Sequence, residues 1–351
     1  MAISAPTNSS TEDSFVARLR RALPLSTMVF VLGVLVIQMA FITSYIGAFH
    51  RPTPHNIEVE VVAPSSLANG LVARLNAISG EPLEARAISE ETSAVAALRQ
   101  DRTAAVFVPD LAKPDDTLLV ASAGGAAQAS AVEAVFQQAE TAEHRSLEVR
   151  DLVPFQSGDG RGLSAFYLVV GWLIGGYLLA TLFGITHGRP TSLRLAAVRL
   201  GATVPYAVLS GLGGALIIGP VLGALDGHFA AVAGVGALLV LAAATVAIGL
   251  QALFGTVGVG IVLIIFVVLG NPSAGGPYQA SLLPAFWRVI GGALPNGAGV
   301  TTIRQITYFG AYGITTPLLI ICVWMIGGVA LTMVATSARS RLRAGRHARP
   351  I

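Results

Sequence analysis

Few residues of this sequence have the types and spacing that chemistry requires, and the histidines illustrate this. His50, His55 and His144 are too scattered to form a metal site, whose ligands usually recur at short, fixed spacings. The acidic residues of the same region fall at helix positions that we predict to face solvent. The sequence therefore predicts no catalytic constellation and no metal or cofactor bound by this chain, and an enzyme is the least favoured function.

Two absences limit how the protein could use energy. The chain contains no Walker A pattern (GxxxxGK[ST]), so any ATPase must be a separate protein. No Asp, Glu, Lys or Arg lies in the interior of a predicted membrane span, whereas a proton relay requires intramembrane carboxylates. We predict one span, a large outside domain and five further spans for this chain. Half of an RND-type exporter and the smaller subunit of the Sec accessory complex have the same plan. Both need such carboxylates, so a proton-driven pump is disfavoured.

A basic segment between the second and third predicted spans could bind a partner through its charge. Residues 188–199 begin with helix-start residues and continue as a short basic helix. The residues that could make the contact are Arg189, Thr191, Ser192, Arg194 and Arg199. Two interpretations stay open: a topological anchor and a docking helix for a cytosolic partner.

The composition indicates that these residues belong to an integral membrane protein. Hydrophobic residues make up 54% of the chain and charged residues only 12%, more apolar surface than a soluble domain can bury. A helix needs about 20 apolar residues to span the bilayer core. We predict six spans, at residues 25–49, 163–186, 200–225, 229–250, 253–270 and 314–335. The first is predicted to be an uncleaved anchor, because it is too long for a typical signal peptide.

The arginines predict the orientation of the spans, since cytoplasmic loops carry an excess of positive charge. Clusters precede the first span (Arg18, Arg20, Arg21), follow the second (Arg189, Arg194, Arg199) and follow the last (residues 336–351). With six spans all three clusters fall on one side. We therefore expect a plasma-membrane protein with both termini cytoplasmic. The net charge of only +3 makes nucleic acid an improbable partner.

Residues 50–162, between the first two spans, have a globular rather than a lipid-like pattern. Strand patterns and helix patterns alternate along this region. Strands are predicted at 57–62, 83–88, 104–108, 117–121 and 147–153, and helices at 67–78, 93–98 and 127–144. The predicted fold is thus a polytopic α-helical membrane protein with an inserted extracytoplasmic α/β domain of about five strands.

Two further segments have unusual patterns. Residues 1–24 place Phe15, Leu19 and Leu23 on one helical face, as in a helix lying along the cytoplasmic surface and contacting membrane lipid. Residues 271–313 are too polar and broken to span, yet too apolar for a free loop. We interpret them as an outer re-entrant segment. Its marker residues are Pro284, Phe286, Trp287, Pro295, Asn296, Gly297, Arg304 and Tyr308.

The amphipathic N-terminal helix, the basic helix after the second span and the broken segment before the sixth resemble the ABC-2 type permease domain. The outside domain after the first span, together with residues 283–287, 294–298 and 303–309, is more specifically similar to the YhgE/Pip branch of that family. The resemblance implies a homodimer or heterodimer of permease chains. It also implies that the basic helix docks into a separately encoded P-loop ATPase, which would bind the ATP.

The same resemblance makes four aromatic residues candidates for a substrate path. These are Tyr167, Trp172, Tyr177 and Tyr206. They are more typical of lipid-facing or interfacial positions. Of the competing functions, an exporter of an apolar or amphipathic compound is favoured. The alternatives are a non-transporting surface receptor or assembly scaffold acting through the outside domain, and a proton-coupled exporter.

Overall fold

In the part of the chain that the structure describes, six helices are long and apolar enough to cross a membrane. The computed structural model describes residues 25–110 and 112–347, so the predicted amphipathic helix at 1–24 lies outside the described residues. The six helices cover Thr27–Phe49, Ser164–His187, Leu193–Val221, Phe229–Phe254, Thr256–Ser273 and Thr315–Arg341. The chain is thus a multi-pass membrane protein with six candidate spans, as predicted. Which side of the membrane each end faces stays a prediction.

The helices and strands follow one another in a simple order. The helices are α1 (Leu25–Phe49), α2 (Ser65–Asn76), α3 (Glu91–Leu98), α4 (Ala126–Ala142), α5 (Ser164–His187), α6 (Leu193–Leu216), α7 (Phe229–Phe254), α8 (Thr256–Leu263), α9 (Gly270–Ser273), α10 (Ala285–Gly291), α11 (Pro295–Tyr308) and α12 (Thr315–His347). The strands are β1 (Ile57–Val62), β2 (Leu83–Ile88), β3 (Ala105–Val108), β4 (Asp115–Val120) and β5 (Ser146–Asp151). Turns of π-helix continue α6 (Ile217–Val221) and join α8 to α9 (Ile264–Leu269).

The five strands form one mixed sheet in the order β2-β1-β3-β4-β5. β1 is parallel to β2 and β3, β3 is antiparallel to β4, and β4 is parallel to β5. The alternation in β1 buries Ile57, Val59 and Val61 beneath α2 and α4, because successive strand residues face opposite sides. The other side of the sheet packs against α3 and Phe309. The predicted α/β domain is confirmed.

The membrane half is built around α7, which packs against α5, α6, α11 and α12. Its small side chains permit close helix contacts, which is how membrane helices pack without a hydrophobic drive. Trp172 of α5 lies against Gly214 of α6 and Gly236 of α7, where an added Cβ would approach the indole within 2.5 Å and 2.4 Å. Glycines therefore make the room for this large side chain.

The structure differs from the prediction of a separate basic helix at 188–199. Residues 188–192 are not helical, and the next residues begin α6, which continues unbroken into the third span. Ser192 caps the helix, its Oγ accepting a hydrogen bond from the Leu195 amide at 3.3 Å. No proline lies between Leu193 and Val204, so the helix propagates through the basic residues. In the same way, α12 runs on to His347 through most of the predicted tail.

Candidate functional site

The predicted re-entrant segment contains one helix, α11, that is enclosed by the rest of the protein. Its 14 residues span about 21 Å, less than the bilayer core of about 30 Å. α11 packs against α5, α7 and α12, and its buried residues include Asn296, Gly297 and Arg304. Pro295 begins the helix, at a position where a missing amide N–H costs nothing. Whether α11 lies at membrane depth stays a prediction.

The first turn of α11 carries a fully buried polar side chain, that of Asn296 (0% exposed). Its Nδ2 donates to the Phe266 carbonyl and to Asn271 Oδ1, both at 2.9 Å. Phe266 lies in the π-helical turn, where the regular α-helical ladder is interrupted and carbonyl groups need other donors. The Ser44 hydroxyl donates to the Val268 carbonyl of the same turn. Polar side chains thus donate hydrogen bonds to two carbonyl groups of the π-helical turn in the fifth candidate span.

The last turns of α11 bind the α/β domain. Gln305 Nε2 donates to Asp101 Oδ2 at 2.5 Å, and the Tyr308 hydroxyl donates to Asp159 Oδ2 at 2.6 Å. The Gln156 amide donates to the Tyr308 oxygen at 3.4 Å. α11 therefore contacts the helical bundle along its length and the α/β domain at its C-terminal end.

A cavity of about 430 Å³ lies where α11, the start of α12 and the α/β domain meet. We call it the junction cavity. Arg304, only 8% exposed, lines it and donates from Nη2 to the Gly275 carbonyl at 3.2 Å. Asp101 lines it as well. Polar groups converging on a concave site are typical of ligand pockets.

Asp101 has an unusual protonation equilibrium at this junction. Much of the residue is exposed, but its carboxylate faces α11, where desolvation raises its pKa to about 6. The charge of Arg304 and the hydrogen bond from Gln305 oppose this rise. Perturbed carboxylates in clefts are candidates for functional groups.

The α/β domain holds a second cavity, of about 710 Å³, which the sequence did not predict. It runs between α2 and α4, and we call it the domain groove. The prediction that the acidic residues lie at solvent-facing helix positions is wrong for Glu140 of α4, which is 6% exposed, and Asp116 lies in β4 and is 2% exposed. Arg145 Nε donates to Asp116 Oδ2 at 2.5 Å. The signal was present in the spacing of Val132, Phe136 and Glu140, which places all three on one helix face.

The two buried carboxylates of the domain groove have opposite pKa shifts. Burial raises the pKa of Glu140 to about 7, and the nearby Asp116 adds to that rise. Burial alone would raise the pKa of Asp116 too, but hydrogen bonds with Arg145, Glu140 and the Asp110 amide lower it. Near neutral pH Asp116 is therefore ionised, while Glu140 is divided between its protonated and ionised forms.

The predicted docking residues separate into an exposed group and one buried arginine. Arg189, Thr191 and Ser192 are exposed on the connection between α5 and α6, and Arg194 is exposed in the first turn of α6. Arg199 is 7% exposed and folds back onto the end of α5. Its Nη1 donates to the Gly188 carbonyl at 2.7 Å and its Nη2 to the His187 carbonyl at 3.1 Å. A role in docking stays a prediction for all five.

The four aromatic residues predicted for a substrate path do not share a surface. Trp172 is buried, its Nε1 donating to the Ser210 carbonyl at 3.0 Å, and Tyr177 is also buried in the core. Tyr167 and Tyr206 are exposed. A role in a path stays a prediction.

The remaining marker residues of the re-entrant segment lie around α10. Pro284 is the N-cap of that helix, and Phe286 is exposed on it. Trp287 is partly buried and packs edge-on against Phe286, with ring centroids 4.8 Å apart. Exposed aromatic side chains on a short helix are compatible with an interfacial position.

No protein-family model, no curated protein and no solved structure matches the chain. The resemblance to ABC-2 type permeases thus rests on the residues and segments described above.

Proposed function

We propose that this chain is the membrane permease subunit of an ABC-2 type exporter, moving an apolar or amphipathic compound outward. A separate P-loop ATPase supplies the energy and binds the ATP. The observation that carries the proposal is the attachment of Arg199 to the end of α5. This contact joins α6 to the end of α5 and to the exposed connection between them. Both helices pack on α7. A partner that displaces the connection therefore displaces two spans at once.

The composition of the spans supports an external source of energy. The six candidate spans contain no Asp, Glu or Lys, so the spans themselves offer no carboxylate for a proton relay. Asp101 and Asp159 do reach α11, but from the α/β domain. A proton-coupled exporter is the weaker proposal for this reason.

The packing of α7 offers a mechanical route through the bundle. α7 contacts α5 and α6, and it also contacts α11 and α12, which border the junction cavity. Movement of α5 and α6 would therefore change the volume of the junction cavity. In this proposal both termini and the basic connection are cytoplasmic, the α/β domain is extracytoplasmic, and two permease chains form the transport unit in the plasma membrane.

Co-purification with charge reversal tests the proposal. The full chain, purified in mild detergent from its own membranes, should bring a P-loop ATPase with it. Replacing Arg189→Glu and Arg194→Glu together should lower the recovered ATPase by at least about tenfold, because attraction at a docking surface becomes repulsion. Arg99→Glu, an exposed arginine of the α/β domain, is the matched control. Unchanged recovery after the double reversal would reject the docking surface.

The domain groove favours one alternative, a surface receptor or assembly scaffold that acts through the α/β domain. Gly70 lines the groove, and an added Cβ there would meet open space, so Gly70→Phe fills the groove without a backbone clash. If the domain alone performs the function, Gly70→Phe abolishes it, while reversal at Arg189 and Arg194 spares it. The permease proposal expects the reverse pattern.

A further inference from the structure

A third cavity, of about 280 Å³, lies at the end of the bundle that carries the α5–α6 connection. We call it the basic-end cavity. The end of α5, the connection, the end of α7 and the start of α8 enclose it. Its lining residues are Ala180, Thr181, Phe183, Gly184, Ile185, Gly188, Arg189, Pro190, Arg199, Ile248, Gln251, Gly255, Thr256 and Val259. Its volume is close to the lower end, about 300 Å³, of the range typical of small-ligand pockets.

The charged groups of the basic-end cavity all have one sign. Arg189 and Arg199 line it, and no Asp or Glu is among the described residues that do. The Gln251 amide and the Thr256 hydroxyl lie in the same wall and can also donate hydrogen bonds. Two guanidinium groups without a lining carboxylate favour an anion, above all one with several acceptor oxygens.

Of the helix ends at this cavity, the N-terminus of α8 favours an anion. The C-terminal carbonyls of α5, which would repel an anion, already accept hydrogen bonds from Arg199. The N-terminus of α8 opens at Gly255 and Thr256, and helix N-termini attract negative groups through their free amides. The C-terminus of α7 also lies here and its carbonyls oppose an anion, so the two arginines and the amides of α8 carry the preference for one.

Glycines hold the cavity open at two places. A Cβ on Gly255, which has a φ of +67°, would lie 2.0 Å from Arg189 Nη2, so the guanidinium rests directly on the main chain there. A Cβ on Gly184 would lie 2.0 Å from Gln251 Oε1. Gln251 is itself buried, and its Nε2 has no hydrogen-bond partner among the described residues. The cavity thus combines a guanidinium group that lies against the main chain with a buried amide that has no partner among the described residues.

The rest of the lining is apolar and continues onto the outer surface of α5. Phe183, Ile248 and Val259 line the cavity itself. Ile185, which is 78% exposed, and the exposed Leu182 extend this apolar surface outward along a candidate span. An anion that carries an alkyl chain matches both parts, with its charge at the arginines and its chain along α5.

We propose that the basic-end cavity binds the anionic phosphate headgroup of a membrane lipid. Arg189 and Arg199 contact the phosphate oxygens, and the acyl chains lie against α5. This goes beyond the proposed export function and does not depend on it, because a lipid can occupy the cavity with or without a docked ATPase. Arg194, which does not line the cavity, remains available for a protein partner.

A titration of the full chain in a neutral detergent tests this proposal. The three ligands are phosphatidylglycerol, phosphatidylcholine with the same acyl chains, and inorganic phosphate. Lipid adducts are counted by native mass spectrometry, and the melting temperature is followed in parallel. Phosphatidylglycerol should bind at least about tenfold more tightly than phosphatidylcholine. Arg189→Gln should remove most of this preference, and so should Gly184→Ala, whose added methyl group pushes Gln251 into the cavity.

Arg194→Gln is the matched control, since it removes one charge from the same region without changing the cavity. It should keep the preference for phosphatidylglycerol. Equal binding of the two lipids would overturn the proposal, and so would a preference that survives both Arg189→Gln and Gly184→Ala. Inorganic phosphate that competes at the same concentrations as phosphatidylglycerol would overturn a lipid as the occupant.

Discussion

Arg199 of α6 donates a hydrogen bond of 2.7 Å from its guanidinium Nη1 to the carbonyl of Gly188, just beyond the end of the preceding span. The two residues are separated by only 11 positions, yet the bond joins two candidate membrane helices. It satisfies a carbonyl that the end of α5 would otherwise leave without a partner. Arg199, which the sequence predicted to dock a partner, thus has an internal structural contact.

Arg199→Met should destabilise the protein, because it leaves the carbonyls of His187 and Gly188 without their donor while keeping the apolar stem. A hydrogen bond from a charged donor contributes about 1.5 to 3 kcal/mol. Thermal unfolding of the full chain in detergent measures the loss. Arg194→Met, at an exposed position of the same helix, should change stability by about 0.5 kcal/mol or less. Equal effects of the two substitutions would show that the bond contributes nothing.

Gly328→Ala should weaken the packing of α12 on α7, because its Cβ would lie 2.4 Å from the Val246 amide nitrogen and main-chain atoms cannot move aside easily. Overpacking of this kind costs about 1 to 3 kcal/mol. The neighbouring Gly327 faces open space, so Gly327→Ala should be neutral or slightly stabilising. Unfolding midpoints of the two variants provide the comparison. A neutral Gly328→Ala would contradict the close helix contact.

Asn296→Leu should loosen the start of α11, since the Phe266 carbonyl loses its side-chain donor in a fully buried place. Hydrogen bonds between membrane helices average about 0.6 kcal/mol, and a buried orphan group costs about 1 to 3 kcal/mol. Amide hydrogen exchange in residues 264–273 should become faster. Thr301→Val, at an exposed position of the same helix, serves as the control and should leave this exchange unchanged.

The contact between Asp101 and Gln305 should depend on pH. Desolvation raises the pKa of Asp101 in the folded protein from 3.8 to about 6, so between these values the folded state binds more protons than the unfolded state. The contribution of Asp101 to stability is therefore fully present below about pH 4 and is lost as the pH rises through about 6. The difference in unfolding free energy between the natural chain and Asp101→Asn should decline over this interval. A difference independent of pH would mean that the carboxyl group is not desolvated.

The α/β domain could be predicted from the sequence because its signals are local. Alternation in β1 and in the other strands determines which residues face the core, and the structure has strands at all five predicted places. Glu140 was missed although its spacing from Val132 and Phe136 puts it on the buried face of α4. An acidic residue was assumed to face solvent, but Asp116 and Arg145 form a polar cluster around it that makes burial possible.

The junction between α11 and the domain could not be predicted in the same way. Asp101 and Gln305 lie 204 positions apart, and no local pattern links them. The hydrogen bond from Asn296 to Phe266 likewise depends on a π-helical turn 30 residues earlier, and no periodicity in the sequence predicts that turn. The prediction of a separate basic helix at 188–199 is wrong, because nothing in the main chain interrupts α6, which continues from Leu193 into the span.

The proposed function requires that a separate ATPase drives movement of this chain. Thiol labelling at the junction cavity tests it, using Thr301→Cys in a Cys322→Ser background and permeabilised native membranes. We predict that ATP changes the labelling rate at position 301 and that Arg194→Glu abolishes this change, while Arg99→Glu leaves it intact. The decisive comparison uses the chain that carries only these two cysteine substitutions. If its labelling rate is the same with and without ATP, the proposal that a separate ATPase drives movement of this chain is contradicted.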